Sequence, residues 1–187
     1  SVVGFYNAWY NLTDAATKAN IADMINIVYD IDLNNGINTI EEIAIFADKT
    51  KGILFDENNV ERDPIKQMGF FGAIVSFYNG WNTIADASIK STFARIFNDV
   101  FAIDLTNGIN TLDEILVFAD KTNGILYNAD GTARNIQTVI DNNSKIADLW
   151  NKATAAGMGD YATFFKNTFA LTALTTKAEY DTMMEII

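Results

Sequence analysis

Residues 32–39 read Asp-Leu-Asn-Asn-Gly-Ile-Asn-Thr, and residues 104–111 read Asp-Leu-Thr-Asn-Gly-Ile-Asn-Thr. The second octet follows the first by 72 residues, and the chain around both obeys the same offset. Phe46-Ala-Asp-Lys-Thr-Lys-Gly-Ile-Leu54 returns as Phe118-Ala-Asp-Lys-Thr-Asn-Gly-Ile-Leu126, and Phe5-Tyr-Asn-Ala-Trp9 returns as Phe77-Tyr-Asn-Gly-Trp81. Residues 2–60 and 74–132 share 29 identities over 59 ungapped positions. Chance does not produce that, so the two stretches descend from one duplicated segment, and the fold must be read as a repeat.

A fainter third copy follows. Trp150-Asn151 lies 72 residues after Tyr78-Asn79, after which the spacing shortens and apolar pattern carries the match. Ile21, Met24, Ile25, Val28 and Tyr29 in copy one correspond to Phe93, Ile96, Phe97, Val100 and Phe101 in copy two. Copy three supplies Tyr161, Phe164, Phe165, Thr168 and Phe169. Each set runs i, i+3, i+4, i+7, i+8, one face of an α-helix.

Each copy reads as three helices, A, B and C. Asp63-Pro64 opens helix A of copy two with an N-cap and a proline at the first helical position, and Asn135 opens its equivalent in copy three. Helix A of copy two is apolar on nearly every side, which predicts a buried helix, and Gly69 and Gly72 on it predict close approach of a neighbour. Helix B carries the stripe. Helix C begins each time with a capping box: Thr39 with Glu42, Thr111 with Glu114, Thr176 with Glu179. Gly52 and Gly124 are placed as left-handed C-caps. The segments after them, Ile53-Leu-Phe55 and Ile125-Leu-Tyr127 followed by polar turns, predict short β-hairpins. The expected fold is all-α: tandem three-helix repeats, two full-length copies and a shortened third, with short β-hairpins between units. The expected repeats span 1–62, 63–134 and 135–187 and form one continuous packed domain. Copy one enters its helix A midway, and the chain begins with Ser1. Both features lead us to expect processing from something longer, with further units upstream or a partner beside helix A.

Composition narrows the chemistry. Among 187 residues there is no His and no Cys, which removes the commonest general base, the thiolate nucleophile, disulfides and the usual ligands of zinc, copper and haem. Net charge is −11. That disfavours nucleic acid and anionic membranes, whose phosphates call for Lys and Arg, and leaves small cations and basic partners. The most apolar stretch, residues 68–78, is too short to span a bilayer, which takes roughly 20 residues, and none of these 187 residues is expected to form a signal peptide.

The segment from Asp30 to Glu42 is the best candidate site. It joins two helices, as an EF-hand loop does, and counting from Asp30 puts Asp30, Asp32, Asn34, Asn38 and Glu41 at liganding positions 1, 3, 5, 9 and 12, with Ile37 at the usual apolar position. The resemblance covers about a dozen residues and implies Ca²⁺. It departs from the pattern in Gly36, which stands at position 7 rather than 6, and in Glu42, where an apolar residue is usual. Copy two offers Asp104, Asn107, Asn110 and Asp113, with Ala102 in place of Asp30. The plainer reading is a helix-to-helix connection in which Asn-Gly turns the chain and Asn and Thr cap it.

Other motifs have duller explanations. Phe5 and Trp9, like Phe77 and Trp81, fall on one helix face; they could line an apolar pocket, but large aromatics more often fill cores. Asn7 and Asn79 are expected to bond a neighbouring loop. Asp48-Lys-Thr-Lys-Gly is superficially similar to the phosphorylated motif of P-type ATPases, with an extra residue before Gly52 and no nucleotide-binding pattern beside it. Paired acids at Glu41-Glu42, Asp56-Glu57 and Glu61 suit helix caps better than acid–base catalysis.

These observations predict a cofactor-free, non-enzymatic structural or interaction module of a secreted or surface protein, associating with itself or with adjacent repeats of a longer chain. The alternatives are a Ca²⁺-binding or Ca²⁺-stabilised module and a carrier of an apolar ligand.

Overall fold

The computed structural model describes all residues except 57, 122, 123, 129 and 156–158, and the backbone alone at 160. The described residues form α-helices and no strand: α1 (Val2–Tyr10), α2 (Ala15–Tyr29), α3 (Ile40–Ala47), α4 (Pro64–Asn82), α5 (Ala87–Phe101), α6 (Leu112–Ala119), α7 (Ile136–Thr154), α8 (Gly159–Phe169) and α9 (Lys177–Ile186). The chain is all-α. Among the described residues no helix is long and apolar enough to cross a membrane.

By internal contacts the chain divides into two compact units. One holds Ser1–Ser76 and Asn110–Gly124; the other holds Phe77–Ile109 and Ile125–Ile187.

In the first unit, Asp14 starts α2 by accepting the Thr17 N–H at 2.7 Å. The helix stops at Asp30, whose left-handed backbone (φ 57°) ends the spiral. The predicted stripe is buried at Ile21, Met24, Ile25 and Tyr29. Phe5 of α1 lies at the centre, its ring edge-on to Phe46 at 5.1 Å and to Phe71 at 6.2 Å. The Trp9 indole donates to the Lys18 carbonyl at 3.0 Å, and the Lys18 ammonium sits 4.8 Å above the same ring. Phe5 and Trp9 are therefore core aromatics, and the indole N–H has found the partner a buried Trp needs. α4 starts as the sequence predicts, with Asp63 accepting from the Ile65 and Lys66 N–H groups at 2.8 and 3.0 Å.

In the second unit, Phe77 packs on Phe93 and Phe97 at 6.0 and 5.2 Å, and the stripe continues through Phe101. The Trp81 indole donates to the Lys90 carbonyl at 3.2 Å, the same bond made 72 residues earlier. α5 packs against α7 and α9, and α7 packs against α8. Asn135 caps α7 by accepting the Thr138 N–H at 3.0 Å.

Four local expectations change. The hairpins reduce to one antiparallel bridge each, Phe55 to Glu61 and Tyr127 to Ala133. The turns close through Asp56 N–H to the Val60 carbonyl and Asn128 N–H to the Thr132 carbonyl. Helix A begins two or three residues after each bridge, so no ladder can extend. Glu57 lies outside the described residues. Second, α3 and α6 end at Asp48 and Asp120 in extended backbone, not at Gly52 and Gly124. Asp48 accepts from the Thr50 N–H and hydroxyl at 2.8 and 2.7 Å, and that turn closes the helix early. Gly52 and Gly124 do adopt positive φ, but in the turn beyond. Third, α4 is not buried all round: Ile65 is exposed and Phe70 half-buried, while Met68, Phe71, Ile74, Val75, Phe77 and Trp81 are buried. Fourth, a Cβ at Gly69 or Gly72 would meet nothing within 4 Å; the close approach is at Gly80, whose Cβ would stand 2.8 Å from Ile140 Cγ1.

Candidate functional site

The 30–42 segment is held by its apolar residues. Ile31 and Leu33 are fully buried, and so are Ile103 and Leu105 in copy two. Alternation then turns Asp32 and Asp104 away from the core. Asp32 Oδ1 accepts the Asn34 N–H at 2.9 Å, and Asp104 Oδ1 accepts the Thr106 N–H and hydroxyl at 2.9 and 2.6 Å. The Thr106 hydroxyl, with its backbone N–H, holds the Asp104 carboxyl below the usual range. Gly36 and Gly108 follow with φ of 86° and 87°, a backbone that only glycine adopts without strain.

The capping glutamate closes the segment. Glu42 Oε2 accepts from the Asn38 N–H at 2.9 Å, the Thr39 N–H at 3.0 Å and the Thr39 hydroxyl at 3.0 Å. The Asn38 N–H above all holds this buried carboxyl below its ordinary pKa. Glu114 accepts the equivalent bonds from Asn110 and Thr111. In copy three the segment is shorter and Glu179 takes over more of it. Its Oε1 accepts the Thr172 N–H and hydroxyl and the Ala173 N–H; its Oε2 accepts the Thr175 and Thr176 N–H groups. Burial opposes the charge at Glu179, yet the N–H groups of Thr172, Thr175 and Ala173 outweigh it and lower the pKa to about 2.

The residues read as cation ligands are distributed along this connection. Asp30 is the exposed C-cap of α2, and Asn34 is exposed. The Asn38 side chain donates to the Asn35 carbonyl at 3.2 Å. Glu41 and Asp113 lie exposed in the first turns of α3 and α6. Asn107 gives its N–H to the Asp104 carbonyl at 3.3 Å, and Asn110 gives its own to Glu114. Among the described residues no group of three or more acidic side chains is placed to hold a metal ion. The acid that all three segments share, at Glu42, Glu114 and Glu179, is engaged with backbone N–H groups, which is the chemistry of an N-cap.

A cleft of about 580 Å³ in the second unit is lined by Trp81, Lys90, Arg95, Asn98, Asp104 and Thr106, among others. Its lining mixes apolar residues, Trp81, Ala87 and Ala94, with the charged Lys90, Arg95 and Asp104. Lys90 gives its ammonium to the Asn82 carbonyl and side-chain oxygen at 2.8 Å each, and Arg95 pairs with Asp99 at 2.9 Å.

The unexpected feature is the exposed apolar surface, seen by comparing equivalent positions. At the second residue of α1, Val3 is 71% exposed, whereas Val75 of α4 is 6% and Ala147 of α7 is 0%. One residue after the capping glutamate, Ile43 is 48% exposed, whereas Ile115 is 3% and Tyr180 is 6%. On α8, Tyr161 and Phe164 are 54% and 53% exposed, whereas Ile21, Met24, Phe93 and Ile96 are buried. The periodicity of the sequence marks all these positions as apolar; which of them lie open appears only in the fold. Asn7 and Asn79 are exposed, and it is Asn151 of copy three that makes side-chain bonds, to Ser88 and Thr92.

Comparison with family models, with curated proteins and with solved structures finds no match to the chain.

Proposed function

We propose that this chain is a non-enzymatic structural and interaction module, built of three-helix units in tandem with repeats at 1–62, 63–134 and 135–187, that works by associating with copies of itself. The observation that carries the reading is the set of open apolar residues, Val3, Ile43, Tyr161 and Phe164, at positions whose equivalents in the other copies are core. Isolated exposed apolar residues are ordinary, but a residue type fixed by the repeat as core and left open points to a surface meant for burial. Three capping boxes at equivalent places support the tandem arrangement. The lack of His and Cys supports a role without catalysis. Placement outside the cell or on its surface rests on the tandem sequence alone.

Sedimentation velocity tests the reading. Between about 1 µM and about 1 mM, a span that brackets weak to moderate dissociation constants, the average mass is expected to rise with concentration. A mass that stays at one chain throughout removes self-association. Melting with Ca²⁺ and with chelator decides the EF-hand-like alternative.

A further inference from the structure

The connection between helices B and C carries a reactive pair of residues in both full copies. Asn-Gly stands at 35–36, 79–80, 107–108 and 123–124, and Asn123 lies outside the described residues. The side-chain amide of an asparagine is a weak electrophile, and the backbone nitrogen of the next residue is its nearest nucleophile. Glycine in that next place removes the side chain that would crowd the approach and leaves the backbone free to bring the two atoms together. Whether they meet depends on the fold.

The fold separates the three described pairs. Asn79-Gly80 lies inside α4. A helical side chain leans toward the helix N-terminus, away from the following nitrogen, and the ladder engages the N–H groups. Asn35 and Asn107 lie outside any helix and are exposed, and the glycines after them have φ of 86° and 87°. The Gly36 N–H reaches the Leu33 carbonyl at 3.3 Å, just past the usual range of about 2.7–3.2 Å, so it is loosely held. Asn38 Nδ2 donates to Asn35 Oδ1 at 3.3 Å and to the Asn35 carbonyl at 3.2 Å. Oδ1 is the oxygen on which negative charge gathers when Cγ is attacked. The Asn38 amide is thus a donor already aimed at the developing oxyanion, a bond that tightens as the charge forms. The run Asn-Gly-Ile-Asn recurs at 107–110.

We infer that Asn35 and Asn107 are sites of spontaneous deamidation, that Asn38 assists the reaction at Asn35, and that Asn79 is spared. The Gly36 nitrogen gives its proton to solvent base and bonds to Asn35 Cγ. The bond from Cγ to the amide nitrogen breaks, and that nitrogen takes up a proton and leaves as ammonia. The resulting succinimide is opened by water at either carbonyl, giving aspartate or isoaspartate. One water is consumed and no oxidant or cofactor is needed. Each event adds a negative charge to a chain that already carries −11. Isoaspartate also lengthens the main chain by a methylene between Leu33, which is fully buried, and the Thr39–Glu42 capping box. Modification therefore loosens the hold of the 30–42 connection on α3. The inference stands apart from self-association.

The test holds the full chain in mildly alkaline buffer and follows peptides spanning each pair by mass spectrometry, with fragmentation that tells aspartate from isoaspartate. Asn35 and Asn107 are expected to exchange NH2 for OH and to yield mainly isoaspartate while Asn79 keeps its amide. The same chain unfolded in guanidinium is expected to convert at all three. Asn38→Ala should slow conversion at Asn35 and leave Asn107 in the same molecule unaffected. Asn35→Gln with Asn107→Gln should block both sites, because glutamine must close a larger ring. Aged wild type is expected to melt below fresh protein, and Asn35→Asp with Asn107→Asp, which adds the charges on an unaltered main chain, to melt closer to fresh. If Asn35 and Asn107 persist in the folded chain while the unfolded chain converts, or if Asn79 converts alongside them, the assignment is overturned. An Asn38→Ala chain that ages at Asn35 as wild type does removes the assisting role, and aged protein that melts like fresh removes the loosening.

Discussion

The Tyr180 hydroxyl donates to Asn143 Oδ1 at 2.8 Å, and both side chains are buried. Asn143 returns its amide to the Val139 carbonyl at 2.8 Å, so α9 is tied to α7 by a short polar chain inside the second unit. Burial pushes the Tyr180 phenol up to about 12. The equivalent positions hold Ile115 and Phe71, both buried. In the proposed third copy a polar pair that satisfies itself stands where the second has apolar residues.

Tyr180→Phe leaves Asn143 Oδ1 buried without its donor, and an unsatisfied buried acceptor costs about 1–3 kcal/mol. Urea unfolding of the single variant should show that loss. The double variant Tyr180→Phe with Asn143→Leu, which restores an apolar pair, should recover most of it. A single variant as stable as wild type would show that water replaces the hydroxyl without penalty.

Glu179 sets the acid limit of the same helix. Its pKa falls from 4.5 to about 2 in the folded chain, so its contribution is fully present above about pH 4.5 and fades as pH drops toward 2. Hydrogen bonds to a charged group are worth about 1.5–3 kcal/mol. With the carboxylate partly in solvent, about 1–2 kcal/mol is the expected cost of Glu179→Gln at pH 7. Stability curves of variant and wild type should converge between pH 4.5 and pH 2; curves that stay parallel through this window would show that the charge contributes nothing.

Much of this was readable before the fold. The stripe of α2 and α5, the three capping boxes and the Asp63 and Asn135 caps follow from spacing and side-chain chemistry alone, because each is a local bond or a single helix face. Ile31 and Leu33 as plugs were signalled by their alternation with Asp30, Asp32 and Asn34, but the same polar residues also suit a metal loop, and periodicity does not say which partner a carboxylate will take. The early end of α3 turned on competition between a helix and the Asp48 turn, which differ little in energy. Gly80 could not be told from Gly69 or Gly72, because close approach belongs to the neighbour. Exposure at Val3, Ile43, Tyr161 and Phe164 depends on which helices stand opposite, information that no repeat period contains.

Ca²⁺ should leave the chain unchanged. Asp32 and Asp104 already accept from residues two positions on, and the capping glutamates accept from backbone N–H groups. A cation would have to displace these bonds to collect its six to eight oxygens. Melting temperatures in millimolar Ca²⁺ and in excess chelator are expected to coincide. A rise with Ca²⁺ that Asp32→Ala abolishes would establish the EF-hand-like site and displace the capping explanation.

The glycines of α4 separate packing from propensity on one helix. Alanine is better than glycine in a helix interior by about 1 kcal/mol. At Gly69 and Gly72 the added methyl would meet nothing within 4 Å, so Gly69→Ala and Gly72→Ala should each raise stability by about 0.5–1 kcal/mol. At Gly80 the same methyl would stand 2.8 Å from Cγ1 and 3.3 Å from Cδ1 of Ile140 on α7. Cγ1 is near the root of that side chain and cannot swing clear, so α4 or α7 must shift. Overpacking of this kind costs about 1–3 kcal/mol, which outweighs the propensity gain, and Gly80→Ala should lower the urea midpoint while the other two raise it. If all three substitutions move the midpoint upward together, α7 does not pack against Gly80 as closely as the structure places it.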